Sequence, residues 1–275
     1  MPPIRQRDEM PHAPAAGVRL ALLRGFELTR NGACVPVSSG LQHLLAYLAL
    51  HRRALRRTHV AGILWDDVTD QRAAGNLRSA LWRIKHLDAD LVESADGRLS
   101  LAAGVAVDIW EAEQIAKQAL DPSTDAAALH LDDLPITGEL LPGWDQEWVL
   151  LERERQRQIG LHVLDALCQR WTRMGQYEKA ISAGLAAIAT EPLHESSHRA
   201  LIGAFLAEGN PAEAIRRYRQ FRESLRSELH IEPSARISEM VAGLSSRNGA
   251  VTAIIHPVRD GATKANSRVG HKRLC

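Results

Sequence analysis

A seven-residue pattern that returns after 34 residues constrains this chain more than any other feature. GQYEKAI at Gly175 to Ile181 recurs as GNPAEAI at Gly209 to Ile215, and Ala166-Leu167 recurs at the same offset as Ala200-Leu201. That period belongs to stacked helix pairs, in which a small Ala lets paired helices approach and Gly starts the tight turn. One such pair cannot bury its apolar face alone, so the flanking stretches are expected to be helical too. PGWDQEWVLLERERQRQIGLHVLDALCQRWTRMG reads as one long helix ahead of the first repeat. Its charge-dense start, with Glu152, Arg153, Glu154, Arg155 and Arg157, reads as a solvated face supported by local ion pairs. Asp108 to Leu120 reads as a helix at the junction with what precedes it.

Residues 108–245 are therefore expected to form a tetratricopeptide-like all-α repeat domain. The usual use of its concave surface is to bind protein or a second copy of itself. The first half reads differently. Val18 to Leu23 and Phe26 to Arg30 look like short strands, and Asn31-Gly32 before ACVPV is a two-residue hairpin signal. Ser39 with Gln42 three residues on forms a capping box ahead of Leu41, Leu44, Leu45 and Leu48, which recur at helical spacing. After the basic connector HRRALRR, Thr58 caps a second, short helix carrying Val60, Ile63 and Leu64, closed by Trp65. The acidic loop DDVTD leads into a third helix, Thr69 to Lys85. LVESADGRLSL then turns at Asp96-Gly97 as a second hairpin.

On a helical wheel the third helix has two unlike faces. Leu77, Leu81 and Ile84 form an apolar stripe with Ala73, Ala74 and Ala80 beside it. Arg72, Ser79, Trp82, Arg83 and His86 point the other way, flanked by Asn76 and Arg78. Arg, Asn and Ser are the residue types that base edges and phosphates require, although a basic polar face is more often the wet side of an amphipathic helix. The order of elements decides between these readings. A sheet, three helices and a hairpin is the winged helix-turn-helix plan, whose third helix enters the major groove. The fold class expected is thus mainly α with a small β component: a winged helix over residues 18–107, followed by the repeat domain. Arg72, Asn76, Arg78, Ser79, Trp82 and Arg83 are the groove-facing candidates. Arg57, with the N–H groups at the start of the Thr58 helix, can hold one phosphate, and Arg98 at the hairpin tip another.

These segments resemble a known family. LALLRGFELTRNGACVPV, LQHLLAYLALHRR, THVAGILWDD and NLRSALWRIK look like the OmpR-type winged helix, the output fold of two-component phosphorelays, as found in the Streptomyces antibiotic regulatory protein family of activators. LLPGWDQEWVLLERERQRQ, the two repeats and YRQFRESLRSELHIEPS look like the bacterial transcriptional activator domain of the same family. Two departures stand out: Gly97-Arg98 replaces the usual Gly-Tyr of the wing, and His230 replaces the glycine usual before Ile-Glu-Pro-Ser. The resemblance implies an activator of a secondary-metabolite gene cluster that binds double-stranded DNA at direct repeats near promoters, as a homodimer on DNA. It also implies contact with RNA polymerase, for which Asp66, Asp67 and Asp70 in the loop before the third helix are candidates. The same aspartates suit turns and a positive helix start equally well.

Composition excludes other classes. The net charge of +1 conceals asymmetry: residues 18–107 carry twelve Lys/Arg against eight Asp/Glu, and residues 108–145 one against nine. Residues 246–275 carry six against one and read as a basic disordered tail. The leader, 1–17, is polar and proline-rich, and no apolar run could span a bilayer, so a cytoplasmic protein with no membrane partner is expected. Cys34, Cys168 and Cys275 are odd in number and far apart, which suits isolated thiols. His194-Glu195-Ser196-Ser197-His198 fits the zinc pattern H-E-x-x-H, but Pro192 places His194 at the very start of a repeat helix. No metal, no cofactor and no enzymatic activity are expected. A helical-repeat adaptor with a vestigial DNA-binding domain stays open as the alternative, and a metal hydrolase as a remoter one.

Overall fold

The computed structural model describes residues 17–87, 91–131 and 138–252. The anticipated leader before Gly17 and residues 253–275 of the anticipated tail lie outside the described residues, as does Cys275; residues 246–252, expected as the start of that disordered tail, instead continue the last helix. β1 (Val18–Ala21) pairs antiparallel with β2 (Glu27–Arg30), in register from Val18↔Arg30 to Ala21↔Glu27. β2 turns into β3 (Ala33–Cys34) through Asn31 and Gly32, whose φ values of 50° and 80° give the type I′ turn that the dipeptide announces.

α1 (Ser39–His51) buries Leu41, Leu44, Leu45 and Leu48 as their spacing demands. Its cap differs from expectation. Ser38 occupies the N-cap without a side-chain bond, and Gln42 Nε2 donates to the Val37 carbonyl at 3.1 Å instead of closing a capping box. The basic connector contains a two-residue strand, β4 (Leu55–Arg56), which leads straight into α2 (Arg57–Leu64). Arg56 takes the N-cap that the sequence assigns to Thr58. Val60 and Ala61 of α2 are buried, whereas Ile63 is 40% exposed and does not join the core. α3 (Asp70–Leu87) follows, then the hairpin β5 (Val92–Ala95) and β6 (Arg98–Leu101), turned by Asp96 and Gly97 at φ 49° and 69°. β4 pairs with β6 through Leu55↔Leu99 and Arg56↔Arg98, so the wing is a three-stranded sheet of order β4-β6-β5. β7 (Ala106–Val107) returns parallel to β1 and completes the first sheet as β3-β2-β1-β7.

The rest of the described chain is helical: α4 (Asp108–Leu120), a 3₁₀ turn at Ala126–Ala128, α5 (Glu147–Arg173), α6 (Tyr177–Thr190), α7 (Glu195–Glu208), α8 (Pro211–Leu229) and α9 (Ala235–Thr252). The 34-residue repeat has a backbone cause. Gly175 and Gly209 both take the left-handed conformation, at φ 74° and 89°. Behind each, the same six-residue closure forms: Gln176 N–H to Trp171 O at 2.9 Å, and Asn210 N–H to Phe205 O at 2.8 Å. Ala180 and Ala214 are fully buried at equivalent places. Ala166 stays half-exposed while its counterpart Ala200 is buried, so the closest helix approach lies elsewhere. A Cβ at Gly184 would stand 3.0 Å from Leu201 Cβ, and this glycine sets the contact between α6 and α7. His230 holds the left-handed stop after α8 at φ 57°, the geometry a glycine would adopt without strain.

The two halves share a core. Leu140, Leu141 and Val149 pack with the leucines of α1 and β1. The strap before α5 extends β1: Leu141 N–H donates to Leu22 O at 2.9 Å, and Arg24 N–H to Glu139 O at 2.7 Å. The Arg153 guanidinium ties that strap down through the carbonyls of Leu140, Leu141 and Trp144. Asp108, at the start of α4, accepts the N–H groups of Leu22 and Leu23 at 2.9 Å and that of Ile109 at 2.7 Å. Trp144 stacks on Phe26 and meets the edge of His43, while Trp148 meets Tyr47. Burial holds the His43 imidazole below its usual range, with Asp145 opposing.

Candidate nucleic-acid interface

α3 seats itself through Ala73, Leu77, Ala80 and Ile84, all buried, with Leu81 half-buried beside them. That seating fixes which side faces out. Arg72, Asn76, Arg78, Ser79, Trp82 and Arg83 are all exposed, and Arg78 borders a hollow that it shares with Arg57 and Thr58 of α2. Ser79 Oγ donates to the Gly75 carbonyl at 3.1 Å, which leaves its lone pairs as acceptors. A Cβ at Gly75 would meet nothing nearer than Arg78 Nη2 at 3.8 Å, so the backbone is open to close approach there. Trp82 is 62% exposed. Its ring lies 3.9 Å from that of His86, and His86 Nδ1 sits 2.8 Å from the Trp82 carbonyl, so that nitrogen carries the hydrogen.

The phosphate candidates converge at the base of the wing. The Arg57 N–H donates to Gly97 O at 3.0 Å, which locks the start of α2 to the wing turn. Thr58 is exposed one residue further on. Arg98 stands directly opposite Arg56 across the sheet and donates to the Ala54 carbonyl at 3.3 Å. Two like charges facing each other across strands cost stability, and a polyanion would relieve that cost. Arg56 was not singled out by the sequence, because its role follows from the β4 pairing that a basic connector does not reveal.

In the winged-helix half Arg19 and Arg52 pair with Glu111 and Glu113 of α4, at 2.8 and 2.6 Å. Among the described residues Arg56, Arg57, Arg72, Arg78, Arg83 and Arg98 form no ion pair, whereas Arg153, Arg155, Arg157, Arg222 and Arg226 of the helical half each lie within 4.0 Å of a carboxylate. Glu154, held by Arg157 and Gln158, has its pKa drawn down to about 2. Asp66 and Asp67 are exposed in the turn between α2 and α3, and Asp70 opens α3, where its charge complements the helix dipole.

The residues of the H-E-x-x-H pattern have other partners. His194 lies before α7 as its N-cap, and Glu195 accepts the N–H of Ser234 at 2.9 Å together with its hydroxyl. His198 faces the Pro192 carbonyl through Nε2 at 2.8 Å and stacks on Phe221 at 4.1 Å, and burial lowers its pKa. Among the described residues no group of three or more His, Cys, Asp or Glu is placed to hold a metal ion. Cys34 is exposed; Cys168 is buried, and burial together with Asp165 pushes its thiol up to about 12. No helix of the described residues is long and apolar enough to cross a membrane.

Three similarities to known proteins bear on this geometry. The bacterial transcriptional activator domain matches residues 87–244, more than half of the chain. The chain is 26% identical over 240 residues to the regulatory protein AfsR of Streptomyces coelicolor; the match covers 82% of this chain but only 24% of that longer protein. Among solved structures, Mycobacterium tuberculosis EmbR, in complex with a low-affinity phosphopeptide, shares the fold with a TM-score of 0.63 at 16% identity, over 86% of this chain and 70% of that one.

Proposed function

The chain belongs to the bacterial transcriptional activator domain family and is a regulator of the Streptomyces antibiotic regulatory protein type, and from that premise we propose that it activates transcription by binding promoter DNA sequence-specifically through α3. In this reading Arg72, Asn76, Arg78, Ser79 and Arg83 face base edges in the major groove, and Trp82 lies against the sugar-phosphate backbone. Arg57, Thr58 and Arg98, with Arg56, grip phosphates beside the wing. The observation that carries it is the set of unpaired arginines on one face of a winged helix whose helical half pairs so many of its own.

Family membership supports the finer points: direct-repeat sites near promoters of a secondary-metabolite cluster, two copies of the chain on the DNA, and RNA polymerase contact through Asp66, Asp67 and Asp70. The experiment is selection of bound duplexes from a random pool by the full chain. Enrichment of a motif in two same-orientation copies about one helical turn apart supports the reading. Recovery of no common motif at moderate salt contradicts it and favours the helical-repeat adaptor.

A further inference from the structure

We propose that the cleft between the winged-helix half and the helical half is a binding site for a neutral, largely apolar small molecule. The cleft encloses about 590 Å³, and its apolar walls come from both halves: Leu23 two residues past β1, Leu140 of the strap, Ala112 of α4, Ile159 and Leu164 of α5, and Ala186 of α6. Its size, its apolar lining and its place at a junction between structural units are those of ligand sites.

The polar groups at its edge define the ligand's charge. The lining charges are paired: Arg153, bonded to the carbonyls of Leu140, Leu141 and Trp144, lies 3.4 Å from Glu139, Arg157 pairs with Glu154 and Glu191, and Glu113 pairs with Arg52 at 2.6 Å. Gln156 Nε2 donates to Glu113 and Glu152. No charge at the cleft is left for an ionic ligand to meet, and an ion brought in without a partner carries a desolvation cost that nothing there offsets. Thr190, whose hydroxyl hydrogen goes to the Ala186 carbonyl at 3.0 Å, keeps an acceptor for one donor on the ligand. A molecule seated there touches Leu23 after β1, the strap and three helices at once, so it stabilises the docking of the two halves by mass action.

The test is fluorescence titration of the full chain with N-phenyl-1-naphthylamine, a neutral probe, beside its charged relative 8-anilinonaphthalene-1-sulfonate. Saturable one-to-one binding of the neutral probe is expected, at least tenfold tighter than the sulfonate. Ala186→Trp fills the cleft and should weaken binding at least tenfold while leaving the circular dichroism spectrum unchanged. Ala189→Phe, at the exposed edge of the same cleft, should do the same if the first variant folds poorly. Leu151→Ser, at an exposed leucine outside the cleft, should change nothing. The proposal is overturned by non-saturating binding, by a sulfonate that binds as tightly, by full affinity in a folded cleft-filling variant, or by loss in Leu151→Ser.

Discussion

Removing the Asp108 carboxylate should loosen the joint between the winged-helix half and the helical half. Its oxygens accept three backbone N–H groups, from Leu22, Leu23 and Ile109, at 2.7 to 2.9 Å. A hydrogen bond to a charged acceptor contributes ~1.5 to 3 kcal/mol net, and the cost of burying the carboxylate offsets part of that sum. Asp108→Ala should therefore cost about 3 kcal/mol. Asp108→Asn should cost ~1 to 2 kcal/mol, because the amide oxygen still accepts from Leu22 and Ile109 while its NH₂ faces the Leu23 donor.

Urea unfolding followed by tryptophan fluorescence measures both, as a shift in midpoint at constant m. The pH dependence has a definite sign. Burial raises the pKa of Asp108 in the folded chain, outweighing the N–H donors of Leu23, Leu22 and Ile109 that lower it. Between its unfolded and folded values the folded chain holds more protons, so this group's contribution to stability falls as pH rises. The stability gap between wild type and Asp108→Asn should accordingly narrow from acid toward neutral pH. A gap that widens would show the donors outweighing burial, and an Asp108→Ala cost below about 0.5 kcal/mol would refute the role of the joint altogether.

Two further variants probe the helical half. His230→Gly relieves a left-handed residue at φ 57° at the cost of the Nδ1 contact to the Arg226 carbonyl, 3.0 Å; thermal unfolding should show a gain of ~0.5 to 1 kcal/mol, and a loss would mean that the ring contact outweighs the strain. Trp171→Phe deletes the buried Nε1–H bond to the Ala126 carbonyl at 2.8 Å and should cost ~1 to 3 kcal/mol in urea, with a neutral result placing water at that carbonyl.

The sequence carries those elements that local chemistry dictates. Asn31-Gly32 and Asp96-Gly97 adopt the positive φ values their turns need, and Leu41, Leu44, Leu45 and Leu48 bury together because their spacing leaves no other face. β4 and β7 are two residues each and exist only through pairing with β6 and β1, so no local pattern announces them. The N-cap of α2 shifts from Thr58 to Arg56 for the same reason: the chain arrives there already extended in the wing sheet. Ile63 follows the helical period yet stays exposed, since periodicity says which face a residue shares and nothing about what covers it. The outward set on α3 was legible because its buried counterparts Ala73, Leu77, Ala80 and Ile84 fix the register. Arg56, Asp108 and Arg153 were not, because each acts on backbone that is distant in sequence or paired by tertiary contact.

Fluorescence anisotropy on the selected duplex and a scrambled one, across a salt series, tests the central claim most directly. The full chain should prefer the selected duplex at every salt concentration, with log affinity falling linearly against log salt. Arg78→Ala should lose ~1 to 3 kcal/mol on the selected duplex and little on the scrambled one, whereas Arg57→Ala should weaken both and lower the salt slope by about 1. Equal affinity for both duplexes in the wild type, or an Arg78→Ala variant that keeps its preference intact, would contradict the assignment of α3 as the reading helix.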